Sequence, residues 1–376
     1  MLLAALSLTG FRSYERLEAR WAPEGALLWG ENGTGKTNLL EAIHLLAVGR
    51  SHRTLNDREL VSVGEDALRA RGAGESAIEG PVEVEIGFRA GEPKRAWVNG
   101  KEEGRLSSIV GRLGAVMVAP EDLEIPRGAP ERRRRFLDQL LCQMRPTHMA
   151  ALQAYGKALR QRNRALREAR DGGGVSGGYS SELEGRGPAA VAAAWDGPLV
   201  EWGARVRAGR ASLVARLSVL AADRYREVSG RDEALEVGYP AGGSAEELAA
   251  AVARAAPAEA RRGTTLVGPH RDDLALALDG KDLRAYGSRG QQRAAAFALR
   301  LAAAAIFREE RGEAPILLLD DVFAELDPGR ADRLAALVAG TAQVFATATH
   351  AEDLTARFPG VPLHRVRPGR IEGMEG

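Results

Sequence analysis

Eight consecutive residues, Gly30-Glu31-Asn32-Gly33-Thr34-Gly35-Lys36-Thr37, carry the spacing G-x-x-x-x-G-K-[ST]. They lie between an apolar run, Ala26 to Trp29, and a second run in which Leu39, Leu40, Ile43, Leu46 and Ala47 recur at helical spacing. The expectation is therefore a strand, a glycine-rich loop and a helix over Lys36 to Val48. In that setting glycines let successive backbone N–H groups turn inward around a phosphate, and the helix end adds its positive dipole. Gly30, Asn32, Gly33, Thr34, Gly35 and Asn38 would line the anion, Lys36 would reach the β- and γ-phosphates, and the Thr37 hydroxyl would ligate Mg²⁺. The bland alternative is a glycine-rich turn with Lys-Thr by chance, which the flanking strand and helix disfavour.

A phosphate loop needs an acidic partner. Ile316-Leu317-Leu318-Leu319 followed by Asp320-Asp321 reads as a buried strand ending in two carboxylates, Asp320 for the metal and Asp321 as the general base for an attacking water. A charged strand end at a solvent boundary would look the same. Further upstream, Ser288-Arg289-Gly290-Gln291 resembles the S-G-G-Q signature of ABC ATPases, a hydroxyl and N–H groups at a positive helix end; alone it is equally an ordinary N-cap. Order favours the first reading, because Glu325-Leu326-Asp327 and Thr349-His350 follow the acidic strand and resemble the D-loop and switch histidine of that class. His350 alone would more often be a surface residue. In ABC ATPases the signature grips the phosphate of ATP on the opposite subunit, so Ser288, Arg289, Gly290, Gln291 and Asp327 would act in trans, and the scheme requires Ser288 at the surface.

The elements that would position these groups follow from pattern. With 376 residues and 45% hydrophobic content the chain is too long for one ordinary domain. Residues 1–129 are β-rich: Val82 to Ile86 alternates, Asn99-Gly100 marks a hairpin, and the expectation is one antiparallel sheet interrupted by a single helix. Residues 130–262 turn helical, with a glycine-rich tip near 171–188 between two long amphipathic helices, and residues 263–376 return to α/β. The expected fold class is α/β, an ABC-type ATPase head (P-loop core plus antiparallel β-subdomain) with an inserted all-α arm.

Net charge is only +1, so a nucleic-acid surface must be local. Between Arg127 and Arg170 eleven Arg and one Lys face three carboxylates, a concentration suited to sequence-tolerant phosphate neutralisation, with Arg132, Arg133, Arg134, Arg135, Arg160 and Arg164 as candidates. The competing reading is a solvated helix face with some arginines buried against carboxylates. Cys142 is the sole cysteine, which excludes an internal disulfide and fits a reducing, cytoplasmic compartment. The apolar start, Met1 to Leu8, has no basic leader and reads as a strand, and no uncharged apolar run approaches the roughly 18 residues a membrane span needs.

Over essentially its whole length the chain resembles the RecF family. Phe11-Arg12-Ser13-Tyr14 is similar to the family's F-R-N-Y, which adds Arg12 to the nucleotide-binding set, and Lys36 to Ile43 matches its extended P-loop helix. Gly49-Arg50-Ser51-His52-Arg53-Thr54, Pro120-Glu121-Asp122-Leu123 with Arg132 to Asp138, and Val267-Gly268-Pro269-His270-Arg271-Asp272-Asp273 occur in family order. Ser13 replaces the usual Asn and Ala324 stands where Ser is common; the Pro120-Glu121 region is the candidate for the Q-loop. The resemblance implies a weak, DNA-dependent ATPase, using ATP and Mg²⁺, that dimerises on ATP binding, recognises double-stranded, gapped or junction DNA, and works with RecR and RecO to load RecA. It implies a nucleoid-associated role in repair, recombination, replication and the SOS response. A transporter subunit would place P-loop and signature closer than the about 250 residues here, a small-metabolite kinase needs no signature, and other SMC-type heads insert far longer coiled coils.

Overall fold

The structure, a computed structural model, describes residues 1–172, 188–241, 243–324 and 326–373. Most of the expected glycine-rich tip and Glu325 lie outside the described residues. Packing divides the chain into two compact units: Met1–Arg127, Val219–Leu235 and Leu278–Gly376 form the first, Gly128–Ser218 and Glu236–Ala277 the second.

The first unit is built on two six-stranded sheets. One is wholly antiparallel, in the order Tyr14–Arg20, Leu2–Phe11, Ala67–Ser76, Gly80–Arg89, Arg95–Val98, Lys101–Glu103. Asn99 and Gly100 turn between the last two with φ of 50° and 77°, the pair of positive angles that Asn-Gly supplies most readily. The other sheet runs Arg370–Ile371, Leu363–Arg367, Gly25–Trp29, Val344–Ala348, Ile316–Leu319, Ala115–Val118, parallel apart from its terminal hairpin. This corrects the expectation of a single antiparallel sheet in the N-terminal segment: Gly25–Trp29 and Ala115–Val118 belong to the parallel sheet. Both are apolar without alternation, as strands covered on both faces are.

The helix Lys36–Val48 packs against strands of both sheets, and every residue from Leu39 to Val48 is buried. Its apolar stripe is thus one part of an all-round burial that also takes in Glu41 and His44. The sheets are joined by the buried Gln343 side chain, which bonds Leu3 in the first sheet and Ala22 in the turn before Gly25–Trp29. Its Oε1 accepts from Leu3 N at 2.7 Å, and its Nε2 donates to Leu3 O and Ala22 O, both at 2.9 Å.

The second unit packs Pro146–Arg170 and part of Asp196–Ser229 with Ala245–Arg262 around Tyr155, Ala158, Leu199, Val206, Leu248 and Val252. Charged residues pair inside it, several of them buried: Arg162, Arg210, Glu259 and Asp272. Arg210 makes two bonds of 2.8 Å to Asp138 and one to Pro269 O, Arg207 makes two to Asp272, and Arg162 reaches Asp196, Thr265 and Glu259.

Replacing Gln343 by Leu removes the acceptor of the Leu3 N–H and the amide donor to Leu3 O and Ala22 O, the last still accepting from Gly25 N at 3.0 Å, at a cost of about 1–3 kcal/mol. The expected result is a lower urea midpoint with an unchanged m-value; a midpoint equal to the parent's rules out this amide as a clamp between the sheets.

Candidate nucleotide site

The loop from Gly30 to Gly35 starts at the end of Gly25–Trp29 and closes onto the helix Lys36–Val48. Two of its glycines are required by space as well as by angle. At Gly30, φ 156°, a Cβ would lie 2.4 Å from Val366 O; at Gly35, φ 109°, it would lie 2.7 Å from Ser13 Oγ and 3.0 Å from the Tyr14 hydroxyl. Tyr14 is itself buried, and its hydroxyl donates to Gly35 O at 3.1 Å. Asn38 Nδ2 donates to Ser13 Oγ. The loop's width is therefore set by the segment Phe11 to Tyr14 lying against it.

Lys36 is buried, and its Nζ donates to Gly30 O at 2.6 Å and Glu31 O at 2.9 Å, bridging the loop. An ammonium has three N–H donors, so one remains for a phosphate oxygen. Burial lowers the Lys36 pKa, and the charges of Asp321 and Asp320 oppose that shift. Thr37 Oγ1 donates to Asp320 Oδ1 at 3.0 Å. The same oxygen accepts from the Thr347 hydroxyl at 2.8 Å. Burial raises the Asp320 pKa, the two hydroxyls lower it, and the charges of Glu121 and Asp321 raise it again.

A hydroxyl and a carboxylate in contact are hard oxygen donors suited to Mg²⁺, which keeps several waters and is completed by phosphate oxygens. Among the described residues no group of three or more His, Cys, Asp or Glu side chains is arranged to hold a metal ion. Glu121, in the turn Pro120–Leu123, adds negative charge toward Asp320, and the same turn is tied by Asp122 to Arg300 on the helix Arg289–Arg311.

Asp321 has φ 50°, a left-handed angle that Asp tolerates, and its N–H donates to Thr347 Oγ1 at 2.8 Å. Thr347 thus holds both carboxylate residues. Sequence reasoning passed over it; a lone hydroxyl in the otherwise apolar strand Val344–Ala348 was the signal. His350 is exposed, and its neighbour Thr349 donates to Asn32 Oδ1 at 3.4 Å, which brings this segment to the loop.

Arg12 is placed differently from a free phosphate ligand. Its guanidinium makes two bonds to Glu41, at 2.9 and 2.8 Å, and a third to Glu59 O. Glu41, fully buried, also accepts from Ser51 Oγ and from Arg53, which reaches on to Asn38 Oδ1. Glu41 was another residue that the pattern did not single out.

Ser288 is exposed and is the N-cap of Arg289–Arg311. Its Oγ accepts from Gln291 N at 3.3 Å, while Gln291 Oε1 accepts from Ser288 N at 2.8 Å, a capping box. The two readings of this segment are therefore compatible, because capping uses a lone pair on the hydroxyl and leaves its O–H able to donate to an anion. The N–H groups of Arg289 and Gly290 belong to the same helix end, which has no intrahelical acceptor for them. A Cβ at Gly290 would lie 2.8 Å from an Arg330 nitrogen, so glycine here lets that guanidinium close on the helix end. Asp327 is exposed, caps the helix Pro328–Val338 and faces Arg330 at 3.5 Å.

The arm arginines divide by burial. Arg133 is buried, with two bonds to Asp273; Arg134 donates to Asp272 O; Arg135 lies 3.5 Å from Glu131 and Arg164 3.1 Å from Glu168. Burial lowers the Arg134 pKa, Arg210 adds repulsion, and Asp273 opposes both. Arg132 and Arg160 are exposed.

A P-loop on a parallel sheet, an acidic strand beside it, a capped signature helix and a flanking antiparallel sheet define an ABC-type ATPase head. Residues 2–358 match the family model described as RecF/RecN/SMC N terminal domain. The DNA replication and repair protein RecF of Symbiobacterium thermophilum is 40% identical over 384 residues, covering 99% of this chain and 98% of that protein. A solved structure of the recombination mediator protein RecF with ATP in the RecFOR pathway is 31% identical, with TM-score 0.86 over 99% of this chain and 97% of that one. An Smc head bound to the C-winged helix domain of ScpA shares the fold at TM-score 0.55 and 14% identity, over 99% and 96% of the two chains. The chain belongs to the RecF family of DNA replication and repair proteins.

Asp320 has its pKa raised in the fold, so the cost to stability is full above the folded pKa, shrinks as pH falls through it, and is gone below the unfolded pKa. Asn at this position still accepts from Thr37 and Thr347 and cannot ionise. Without nucleotide or divalent cation, Asp320→Asn is expected to melt above the parent at pH 8 and to lose that advantage in acid. A variant that melts below the parent at pH 8 contradicts the assignment.

Proposed function

We propose that this protein is an ATP-driven dimerisation switch that binds DNA and serves as a recombination mediator. The observation that carries the reading is the exposed Ser288 cap, whose hydroxyl proton is left for an anion at a helix end facing outward. A serine in that position suits the terminal phosphate of ATP held by another copy's P-loop. The ATP-bound RecF relative supports the choice of nucleotide.

In this reading the loop N–H groups and Lys36 hold the β- and γ-phosphates of ATP in one copy, with Asn32, Thr34 and Asn38 along the loop. Thr37 and Asp320 would hold Mg²⁺, whose charge would neutralise part of the phosphate charge. Ser288, Arg289, Gly290 and Gln291 of a second copy close over the γ-phosphate, with Asp327 beside them. Asp321 orients and deprotonates the attacking water, and His350 reads the presence of the γ-phosphate. An Asp at 321 is one methylene shorter than the more usual Glu, which fits slow turnover that resets the dimer. ATP binding thus favours the dimer by contacts available only there, and hydrolysis removes them.

On the DNA side, we assign double-stranded DNA with gaps or junctions as the ligand and RecR and RecO as partners, with RecA loading as the outcome, on the strength of the RecFOR pathway of the solved relative. Cytoplasmic, nucleoid-associated placement follows from that role. Among the described residues no helix is long and apolar enough to cross a membrane. Of the candidate arm arginines, Arg132 and Arg160 are exposed and open to phosphates; Arg133 and Arg134 serve the interior of the second unit.

Ser288→Arg is expected to bind ATP with parental affinity and to form no ATP-dependent dimers, whereas Asp321→Asn forms dimers that persist many times longer than the parent's. Light scattering with ATP reads both, and dimers of Ser288→Arg would end the composite-site reading.

For DNA, Arg132→Glu with Arg160→Glu is expected to weaken gapped-DNA binding and to reduce the slope of log K against log salt by about two. Arg133→Glu instead unfolds the second unit at lower temperature, because it sets two carboxylates face to face. An unchanged slope in the double variant moves the DNA surface off the arm.

A further inference from the structure

Behind the signature helix lies a group that the ATP chemistry does not use. Glu233 sits in the first unit, in the short segment after the helix Asp196–Ser229. Its Oε1 accepts from Gln291 Nε2 at 2.9 Å and its Oε2 from the hydroxyl of the fully buried Tyr225 at 2.7 Å. Arg231 is 3.6 Å from Oε1. The segment is itself pinned: Arg333 donates to Val228 O and Ser229 O, and its guanidinium packs against Gly230, where a Cβ would lie 2.9 Å from it. Burial raises the Glu233 pKa, and the bonds from Tyr225, Gln291 and Arg231 outweigh it, leaving the carboxyl below its ordinary value.

Gln291 is the residue that completes the Ser288 capping box, and it does so with Oε1 alone. An amide side chain can be rotated to exchange its oxygen and nitrogen, and a rotated Gln291 would set two donors against each other at Ser288 N. A carboxylate only accepts, so Glu233 admits one orientation.

We propose that Glu233 is a positioning residue of the composite phosphate site: by accepting from Gln291 Nε2 it holds Oε1 on the Ser288 N–H and fixes the helix end that offers the Ser288 hydroxyl to ATP on a second copy. The inference rests on the composite-site reading. A neutral amide at 233 both donates and accepts, so it loses that selection, and the cap fluctuates at the point where phosphate should be met by a preformed hydroxyl and N–H groups.

The test is an exchange of partners in the full-length protein, followed by sedimentation with ATP and Mg²⁺ and by ATP binding at concentrations where the chain is monomeric. Glu233→Gln and Gln291→Glu are each expected to weaken ATP-dependent dimerisation by about tenfold, the first by releasing the amide and the second by opposing two carboxylates. Gln291→Glu keeps a good capping-box residue but also adds a charge beside the trans phosphate, so it is compared with the double variant, which carries the same charge and differs from it only at residue 233. Combined, the two changes restore one donor and one acceptor with the carboxylate moved across, and dimerisation should recover several-fold over Gln291→Glu alone. ATP binding by monomers stays at the parental affinity in all three, which also reports that each variant folds. Single variants that dimerise like the parent, or a double variant no better than Gln291→Glu alone, overturn the inference. Ser288→Arg run alongside separates the two ideas: if it too dimerises, the composite site itself is wrong, and if it does not, only the role of Glu233 has failed.

Discussion

One oxygen organises the nucleotide site: Oδ1 of Asp320 accepts from both Thr37 and Thr347. That meeting depends on register. Leu319 pairs with Ala346 and Ala348 with Trp29, so parallel strands bring Asp320 beside Thr347 and the start of the P-loop beside the end of the strand Val344–Ala348. A slip of one residue would turn Thr347 to the opposite face and separate the hydroxyl from both acidic residues. The site is therefore a property of the sheet. Burying Asp320 among other carboxylates is unfavourable in the fold alone, and a cation and a phosphate are what such a place suits.

Residues close in the sequence were the legible ones. The boundaries Lys36–Val48 and Ile316–Leu319 coincide with what apolar spacing and punctuation indicate, and Asn99-Gly100 turns as its chemistry requires. The antiparallel assignment over the whole N-terminal segment failed at Gly25–Trp29 and Ala115–Val118, because a strand's sheet partners are set by distant residues and an unbroken apolar run does not name them. That Thr37 and Asp320 meet could be expected from the sequence, because phosphate chemistry restricts the residues that can serve it. Thr347, Glu41 and Glu233 were not legible: each acts by holding another side chain, and a hydroxyl or carboxyl that only holds is indistinguishable from hundreds that face water.

Glu41 illustrates the same point from the other side. A glutamate on an otherwise apolar helix looks like a solvent-facing position, yet it is fully buried beneath Arg12, Ser51 and Arg53. Two family-like runs, Phe11 to Tyr14 and Gly49 to Thr54, converge on it, and through Asn38 and Ser13 they bear on the wall of the phosphate loop. Removing one partner would leave a buried charge short of donors, a heavier cost than any single bond would suggest.

The arm shows how far a charge count can carry an argument. Eleven arginines between Arg127 and Arg170 suggested a phosphate-binding face. Several of them instead meet carboxylates or carbonyls of the second unit: Arg133 at Asp273, Arg134 at the Asp272 carbonyl, Arg162 at Asp196 and Glu259. The run Val267 to Asp273, which reads as a functional motif, supplies many of those acceptors, since Asp272 also binds Arg207 and Pro269 O also binds Arg210. Two motifs far apart in the chain are thus the two halves of one ionic core. Such pairs add little net stability against an apolar core of equal volume, but an unmatched half would be costly, so they enforce one arrangement of the helices. In the proposed function, the arm's share of DNA binding falls to arginines that this core does not absorb, Arg132 and Arg160 among them, on a scaffold whose geometry the absorbed ones define.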